Sequence, residues 1–67
     1  MGTNLSSFQQ RALQAAVRGK WLYYYEIFPH WVHRQEWTAE RLVELGYLER
    51  RNDLSAWAYQ YRVVEEK

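Results

Sequence analysis

A high density of aromatic side chains in a sequence without cysteine is the feature that most constrains how this chain can fold. Twelve of the 67 residues are Trp, Tyr or Phe, and all but Phe8 lie from Trp21 onward. A chain this short buries only about 60% of the surface that its unfolded form exposes, so domains of this size usually need disulfides, a metal or a partner. Because cysteine is absent, we expect packed rings, which bury roughly 150–250 Å² each, to take the place of disulfides. The sequence predicts one domain over residues 1–67, with 1–5 and 65–67 frayed.

The charges of the chain are almost balanced. Nine Lys and Arg residues face eight Asp and Glu residues, which gives a formal net charge of +1. This balance excludes a polybasic or acidic tail. The sequence contains neither an apolar run of about 18 residues nor the charged and then apolar leader of a signal peptide. We therefore predict a cytoplasmic protein that does not associate with membranes.

The N-terminal part of the chain has the spacing of an amphipathic helix. Overlapping Ser-x-x-Gln capping boxes begin at Ser6 and Ser7, and this pattern is typical of a helix start. Apolar residues then recur at three- and four-residue steps as far as about Arg18. Gly19 can adopt the left-handed conformation that ends a helix. These features predict a first helix that stops at Gly19.

A second helical pattern covers residues 29–45. Pro29 suits the first turn of a helix and Gly46 can end it, whereas Thr38 is an alternative N-cap that would split the segment at Trp37. The predicted buried stripe consists of Trp31, Val32, Gln35, Thr38, Ala39, Leu42 and Leu45. The predicted exposed face consists of His30, His33, Arg34, Trp37, Arg41 and Glu44.

The remaining segments read as a short apolar element and a hairpin. Periodicity does not distinguish helix from strand over residues 20–28. Residues 47–51 and 57–64 have the composition and alternation of strands, and Asn52 and Asp53 provide turn residues between them. We expect the hairpin to pack on the first and third helices through Leu48, Tyr59, Tyr61 and Val63, with Trp57 on the same face.

The sequence resembles winged helix-turn-helix domains at two places. Segment 41–50 (RLVELGYLER) is similar to the end of the third helix, its glycine stop and the first wing strand, and segment 61–64 (YRVV) is similar to the strand that returns from the wing. Residues 19–21 lie where such domains place a short first strand. The resemblance implies an α+β, mainly helical fold with three helices and a carboxy-terminal β-hairpin wing.

The resemblance also implies a DNA-binding face. In members that bind DNA, the third helix enters the major groove and the wing contacts phosphate or the minor groove, and Arg in the groove can donate two hydrogen bonds to guanine. The residues at the corresponding positions are His30, His33, Arg34, Trp37 and Arg41 on the recognition helix and Arg50, Arg51 and Asn52 on the wing. Arg11, Arg18 and Lys20 form a further basic patch. These positions predict a small sequence-specific protein that binds double-stranded DNA and regulates transcription.

An alternative function is that of a winged-helix adaptor that binds another protein. Glu36, Glu40 and Glu44 share the long helix with its arginines and can form i, i+3 and i, i+4 pairs with them. Trp37 suits a protein contact better than base reading. Consecutive aromatic residues cannot all point inward, so we also expect a homodimer or another protein contact through Trp21, Tyr23, Tyr24 and Tyr25.

The sequence does not favour an enzyme or a metal protein. His30, His33 and Glu36 have a possible ligand spacing, but the sequence supplies no evident fourth ligand. It also lacks a recognisable nucleophile–base order, a glycine-rich phosphate loop and paired catalytic carboxylates. We therefore predict no catalytic residues, no metal and no cofactor.

Overall fold

Three helices and a three-stranded antiparallel sheet make up the fold. The computed structural model describes residues 5–65. In chain order the elements are α1 (Ser7–Ala15), β1 (Leu22–Tyr23), α2 (Tyr24–Ile27), α3 (Gln35–Glu44), β2 (Leu48–Asp53) and β3 (Ala58–Val63). The α+β class is confirmed, but helices take up 38% and strands 23% of the described residues, so the prediction that the fold is mainly helical is wrong. The fraying expected for residues 1–4, 66 and 67 falls outside the described residues, whereas Leu5 packs against the core.

The sheet has the strand order β1-β3-β2, so β3 is its central strand. Leu22 pairs with Tyr61, and Leu48 pairs with Val63. Because side chains alternate between the two faces of a sheet, these residues lie on one face, which we call the inner face. The buried core combines this face with side chains from the helices: Ala12, Ala16, Ile27, Phe28, Val32, Ala39, Leu42, Leu48, Tyr61 and Val63.

Helix α1 begins as the sequence predicts and ends earlier. The Ser6 hydroxyl accepts the Gln9 amide at 3.1 Å and the Gln9 side chain accepts the Ser6 amide at 3.1 Å, which confirms the first capping box. The predicted end near Arg18 is wrong, because the helix stops at Ala15. After the helix, a hydrogen bond to a distant residue replaces the helical ones: the Val17 amide donates to the Ile27 carbonyl at 2.9 Å.

Gly19 is left-handed, with φ 89°, but it lies beyond the helix and does not end it. The apolar run over 20–28 that follows contains both a strand and a helix, β1 and then α2. The first strand is therefore Leu22–Tyr23 and not residues 19–21. The Glu26 carboxylate accepts the Tyr23 amide at 3.3 Å, which fixes the change from strand to helix.

Helix α3 begins at Gln35 and not at Pro29. The Pro29 carbonyl accepts the Val32 amide at 3.1 Å in a turn, and it also accepts a hydrogen bond from the Gln35 side chain at 3.2 Å. Arg34 then adopts a left-handed conformation, φ 54°, immediately before the helix. The alternative start at Thr38 is also wrong, because Thr38 is buried in the first turn and its amide already donates to Arg34.

The predicted end of this helix at Gly46 is confirmed. Gly46 is left-handed, with φ 89°. Its amide donates to the Val43 carbonyl at 3.0 Å and the Tyr47 amide donates to the Leu42 carbonyl at 2.9 Å. This pair of bonds is the Schellman arrangement that satisfies the last carbonyls of a helix. It turns the chain directly into β2.

The hairpin is present, but its turn lies further along the chain than predicted. Asn52 and Asp53 belong to β2, where they pair with Tyr59 and Ala58. The turn consists of residues 54–57, so Trp57 belongs to the turn and not to the strand. Asp53 starts this turn by accepting the Ala56 amide on its carbonyl, at 3.2 Å. Among residues 5–65, no helix is long and apolar enough to cross a membrane.

Candidate interaction surface of helix α3 and the hairpin

Helix α3 is held against the rest of the protein by one face. Thr38, Ala39 and Leu42 are fully buried. The remaining members of the predicted stripe, Trp31, Val32, Gln35 and Leu45, are buried or half-buried. The stripe is therefore confirmed, although its first two residues precede the helix.

The predicted groove residues lie on the exposed side of α3 and in the segment before it. Arg34 lies over the ring of Trp37, 5.4 Å from its centroid, and Trp37 is 50% exposed. Arg41 forms a salt bridge with Glu44 at 2.8 Å. His30, His33 and Arg34 are exposed, but all three precede α3, so their predicted position on the helix is wrong.

Glu40 connects α3 to the hairpin. One of its carboxylate oxygens forms a salt bridge with Arg50, and the other accepts the Tyr61 hydroxyl at 2.5 Å. Tyr61 is 1% exposed, and burial together with this hydrogen bond raises the pKa of its hydroxyl. Arg50 also lies over the ring of Tyr59, 4.5 Å from its centroid. The negative charge of Glu36 acts on the same tyrosine. We call the surface formed by Glu36, Glu40, Arg50 and Tyr59 the α3–hairpin corner.

The predicted wing residues lie on opposite faces of β2. The strand register places Arg50 and Asn52 on the inner face and Arg51 on the outer face. The prediction that Tyr59 packs on the helices is wrong: the inner face extends beyond the helices at Tyr59, which is exposed. The wing arginines are thus attached to the body of the hairpin, and its tip carries no charge.

The outer face of the sheet is covered by arginine side chains. Arg51 and Arg62 each place their guanidinium carbon 4.6 Å from the centroid of the Trp21 ring. Arg62 also bonds to Glu49 at 3.0 Å, and Arg51 donates to the Gln60 side chain at 2.9 Å. Arg51 therefore supports the hairpin from the side that faces away from α3.

The tyrosines of the predicted interface block make contacts within the chain. The Tyr23 hydroxyl donates to Asp53 at 2.5 Å, which raises the pKa of Tyr23 and lowers the pKa of Asp53. Tyr25 stacks on Tyr23, with ring centroids 5.6 Å apart, and Tyr24 meets Tyr25 edge-on at 5.4 Å. Tyr25 is exposed and Tyr24 is half-buried. A homodimer through this block stays a prediction, and Tyr25 is the ring most available for it.

The three residues of the predicted basic patch, Arg11, Arg18 and Lys20, lie in different surroundings. Arg11 lies over the ring of Trp31, 5.1 Å from its centroid, and Arg18 donates to the Leu13 carbonyl at 3.2 Å. Lys20 is exposed. In the described part of the chain, no group of three or more His, Asp or Glu side chains is placed to hold a metal ion.

The hairpin tip, residues 54–57, carries the most exposed large apolar side chains. Leu54 is 71% exposed and Trp57 is 90% exposed. Sequence reasoning missed both residues, because it placed the turn at Asn52 and Asp53, and it missed the bridging role of Glu40. The uncharged run over 54–60, which follows the polar residues 49–53, is the signal that could have located the tip.

Comparison of the chain with protein-family models, with curated proteins and with solved structures finds no match. The geometry of α3 and the hairpin is therefore the basis for a functional proposal.

Proposed function

We propose that this chain is a protein-interaction module with a winged helix-turn-helix fold. The fold half of the proposal is supported by the element order, with three helices around a short first strand and a hairpin after the third helix. It is also supported by the sheet order β1-β3-β2 and by the packing of α3 through Thr38, Ala39 and Leu42.

The contact between Glu40 and Arg50 is the main support for a protein-interaction function. In the DNA-binding members that the sequence resembles, nucleic acid lies against the third helix and the wing. Here Glu40 neutralises the arginine at the junction of these elements, and Glu36 and Glu44 add carboxylates to the exposed side of α3. Phosphates brought to this corner would meet like charges, which costs association free energy, whereas a protein partner can bring cations.

Double-stranded DNA is a second candidate partner, and the exposed arginines on α3 and immediately before it favour it. Trp37 and Arg41 are exposed on α3, Arg34 immediately precedes the helix, and the exposed His30 and His33 lie before Arg34. On this candidate function, the chain is a transcriptional regulator that reads bases with Arg34 and Arg41. The wing arginines then contribute little, because Glu40 and Trp21 already hold them.

A paired binding experiment distinguishes the two candidates. A labelled pool of random-sequence duplexes is titrated with the protein at about 50 mM and at about 150 mM salt, since phosphate contacts weaken steeply over this range. We expect no saturable binding at either salt concentration. Saturable binding at low salt that is lost in the double variant Arg34→Ala, Arg41→Ala would overturn the protein-interaction proposal and establish the DNA-binding function.

The second arm selects a displayed library of short random peptides against the immobilised protein. We expect enriched peptides whose binding is weakened by Glu40→Gln. This variant removes the charge but keeps an oxygen that can accept the Tyr61 hydroxyl, so the fold is retained. Glu65→Gln is the matched control, because the exposed Glu65 lies beyond the end of β3 that is far from the tip. Enrichment that does not respond to Glu40→Gln would show that the corner is not the binding surface.

A further inference from the structure

The hairpin tip combines strong exposure with a lack of charge. Residues 54–60 include no Asp, Glu, Lys or Arg, and Leu54 and Trp57 are the most exposed of the large apolar side chains described. Single apolar residues on a surface are ordinary. Leu54 and Trp57 lie together at the end of the hairpin, and the exposure of their apolar surface to water is unfavourable.

Trp57 occupies a turn position whose backbone conformation does not require a tryptophan and is strained by one. Trp57 has φ 54°, a left-handed conformation that residues with a β-carbon adopt at a cost. Glycine or asparagine usually occupies such a turn position. Because the ring is 90% exposed, packing within the protein does not offset the strain. A tryptophan kept at a strained and solvated position points to a role outside the folded chain.

The base of the tip is rigid. The Asp53 carboxylate accepts the Ser55 hydroxyl at 2.8 Å and the Ser55 amide at 3.2 Å, and its other oxygen accepts the Tyr23 hydroxyl. These bonds tie the turn to both β2 and β1. The backbone of the turn is therefore held before a partner binds, which reduces the entropy lost on binding.

The surroundings of the tip define the chemistry of its partner. Tyr59 is the exposed aromatic member of the corner. Because Glu40 and Arg50 form an ion pair, Glu36 leaves the corner with one carboxylate in excess. Leu54 lies four positions after Arg50, and the rise of a strand makes this a distance of about 13 Å. The tip alone is too small for a stable flat interface, which buries about 800 Å² on each partner. A binding segment must therefore extend from the tip into the corner.

We propose that the hairpin tip and the α3–hairpin corner together bind a cationic amphipathic peptide segment of another protein. Leu54 and Trp57 contact its apolar residues, and Glu36 faces a Lys or Arg side chain, because Glu40 is already paired with Arg50 and Tyr61. This inference rests on the proposed protein-interaction function and assigns the chemistry of the partner.

The test uses the selected peptides and the variant Trp57→Gly, which removes the ring and relieves the left-handed strain. Enriched peptides are expected to combine Lys or Arg with large apolar residues. Their affinity is expected to fall at least tenfold in Trp57→Gly, to fall severalfold in Glu36→Gln and to weaken as salt is raised. Val17→Ser is the matched control, because Val17 is an exposed apolar residue after α1, away from the tip, and this variant is expected to bind like wild type.

Other outcomes overturn the inference. If the enriched peptides are acidic or uncharged, or if they respond to Glu40→Gln but not to Trp57→Gly, the assigned partner chemistry is wrong while the protein-interaction function stands. If no peptide is enriched and DNA binds, both proposals fail. A third outcome is that no peptide binds, but that anionic lipid vesicles shift the tryptophan fluorescence emission to shorter wavelength and that this shift is lost in Trp57→Gly. The tip would then be a membrane anchor and not a protein contact.

Discussion

The left-handed backbone at Trp57 makes a prediction about stability that reverses an ordinary rule. Glycine within a strand or helix is usually less stable than alanine by about 0.5–1 kcal/mol, because glycine loses more conformational freedom on folding. At position 57 we expect the opposite order, with Trp57→Gly more stable than Trp57→Ala. The ring is absent from both variants, so their difference isolates the backbone effect at φ 54°.

The expected magnitude follows from two opposing quantities. A β-carbon in the left-handed conformation costs about 1–2 kcal/mol, which alanine retains and glycine removes. Glycine loses about 0.5–1 kcal/mol of this gain through its greater flexibility in the unfolded chain. The net advantage of glycine is about 0.5–1 kcal/mol. For a domain of this size this corresponds to roughly 3–6 °C in the melting temperature.

The measurement is urea and thermal unfolding of both variants followed by far-ultraviolet circular dichroism, which does not depend on the tryptophan that is removed. Tyr59→Gly and Tyr59→Ala are the control pair, because Tyr59 is exposed in the same hairpin but lies in the regular strand β3. There alanine should be the more stable by about 0.5–1 kcal/mol. The same order of glycine and alanine at both positions would refute the strain at Trp57.

Three further predictions concern the core, the helix end and pH. Gly46→Ala should destabilise the fold by about 0.5–1 kcal/mol in urea unfolding, because alanine at φ 89° has a left-handed strain that exceeds its lower flexibility in the unfolded chain, while the space around the new methyl group is open. An unchanged stability would contradict the left-handed helix stop. Thr38→Val should raise the free energy of unfolding by about 1 kcal/mol, because the buried Thr38 hydroxyl has no hydrogen-bond partner among the described residues; Thr38→Ser, which keeps the hydroxyl, should not. Burial and the hydrogen bond to Glu40 raise the pKa of Tyr61 above its ordinary value near 10. The neutral Tyr61 hydroxyl therefore contributes its full stabilisation below about pH 10. This contribution falls as the pH rises further, because Tyr61 ionises at lower pH in the unfolded chain than in the folded one. Melting curves from about pH 9 to pH 11.5 should show a fall that is smaller in Tyr61→Phe.

The sequence correctly predicted the start or end of a helix where residues within one helical turn determine it. The capping box at Ser6 involves side chains three residues apart, and the Gly46 stop involves bonds within one helical turn. The apolar stripe of α3 was predictable for the same reason, since helical periodicity fixes which side chains share a face.

Elements whose ends depend on distant residues were not predictable. Helix α1 stops at Ala15 where the chain begins to bond to Ile27, and Asp53 remains in β2 while its carboxylate accepts the Tyr23 hydroxyl. These bonds join residues that are ten or more positions apart, and no local pattern encodes them.

The candidate site shows the same division. The sequence correctly indicated that Arg34, Trp37 and Arg41 are exposed, because this follows from their position opposite the buried stripe. It did not show that Arg50 is neutralised, because Glu40 reaches Arg50 only when β2 turns back along α3. Our proposal of a protein partner in preference to DNA rests on that tertiary contact.

The central position of β3 determines when this protein can fold during synthesis. Strands β1 and β2 are both synthesised before β3, the strand to which each of them is hydrogen-bonded. Leu22 therefore has no pairing partner until Tyr61 has been synthesised. A nascent chain that ends before Ala58 contains all three helices but no sheet for them to pack on, and its rings from Trp21 onward lack the strand that organises them. Such intermediates expose apolar surface and bind chaperones or aggregate. The fold is therefore assembled only after its middle strand leaves the ribosome, and N-terminal fragments are expected to be degraded rather than to act as partial modules.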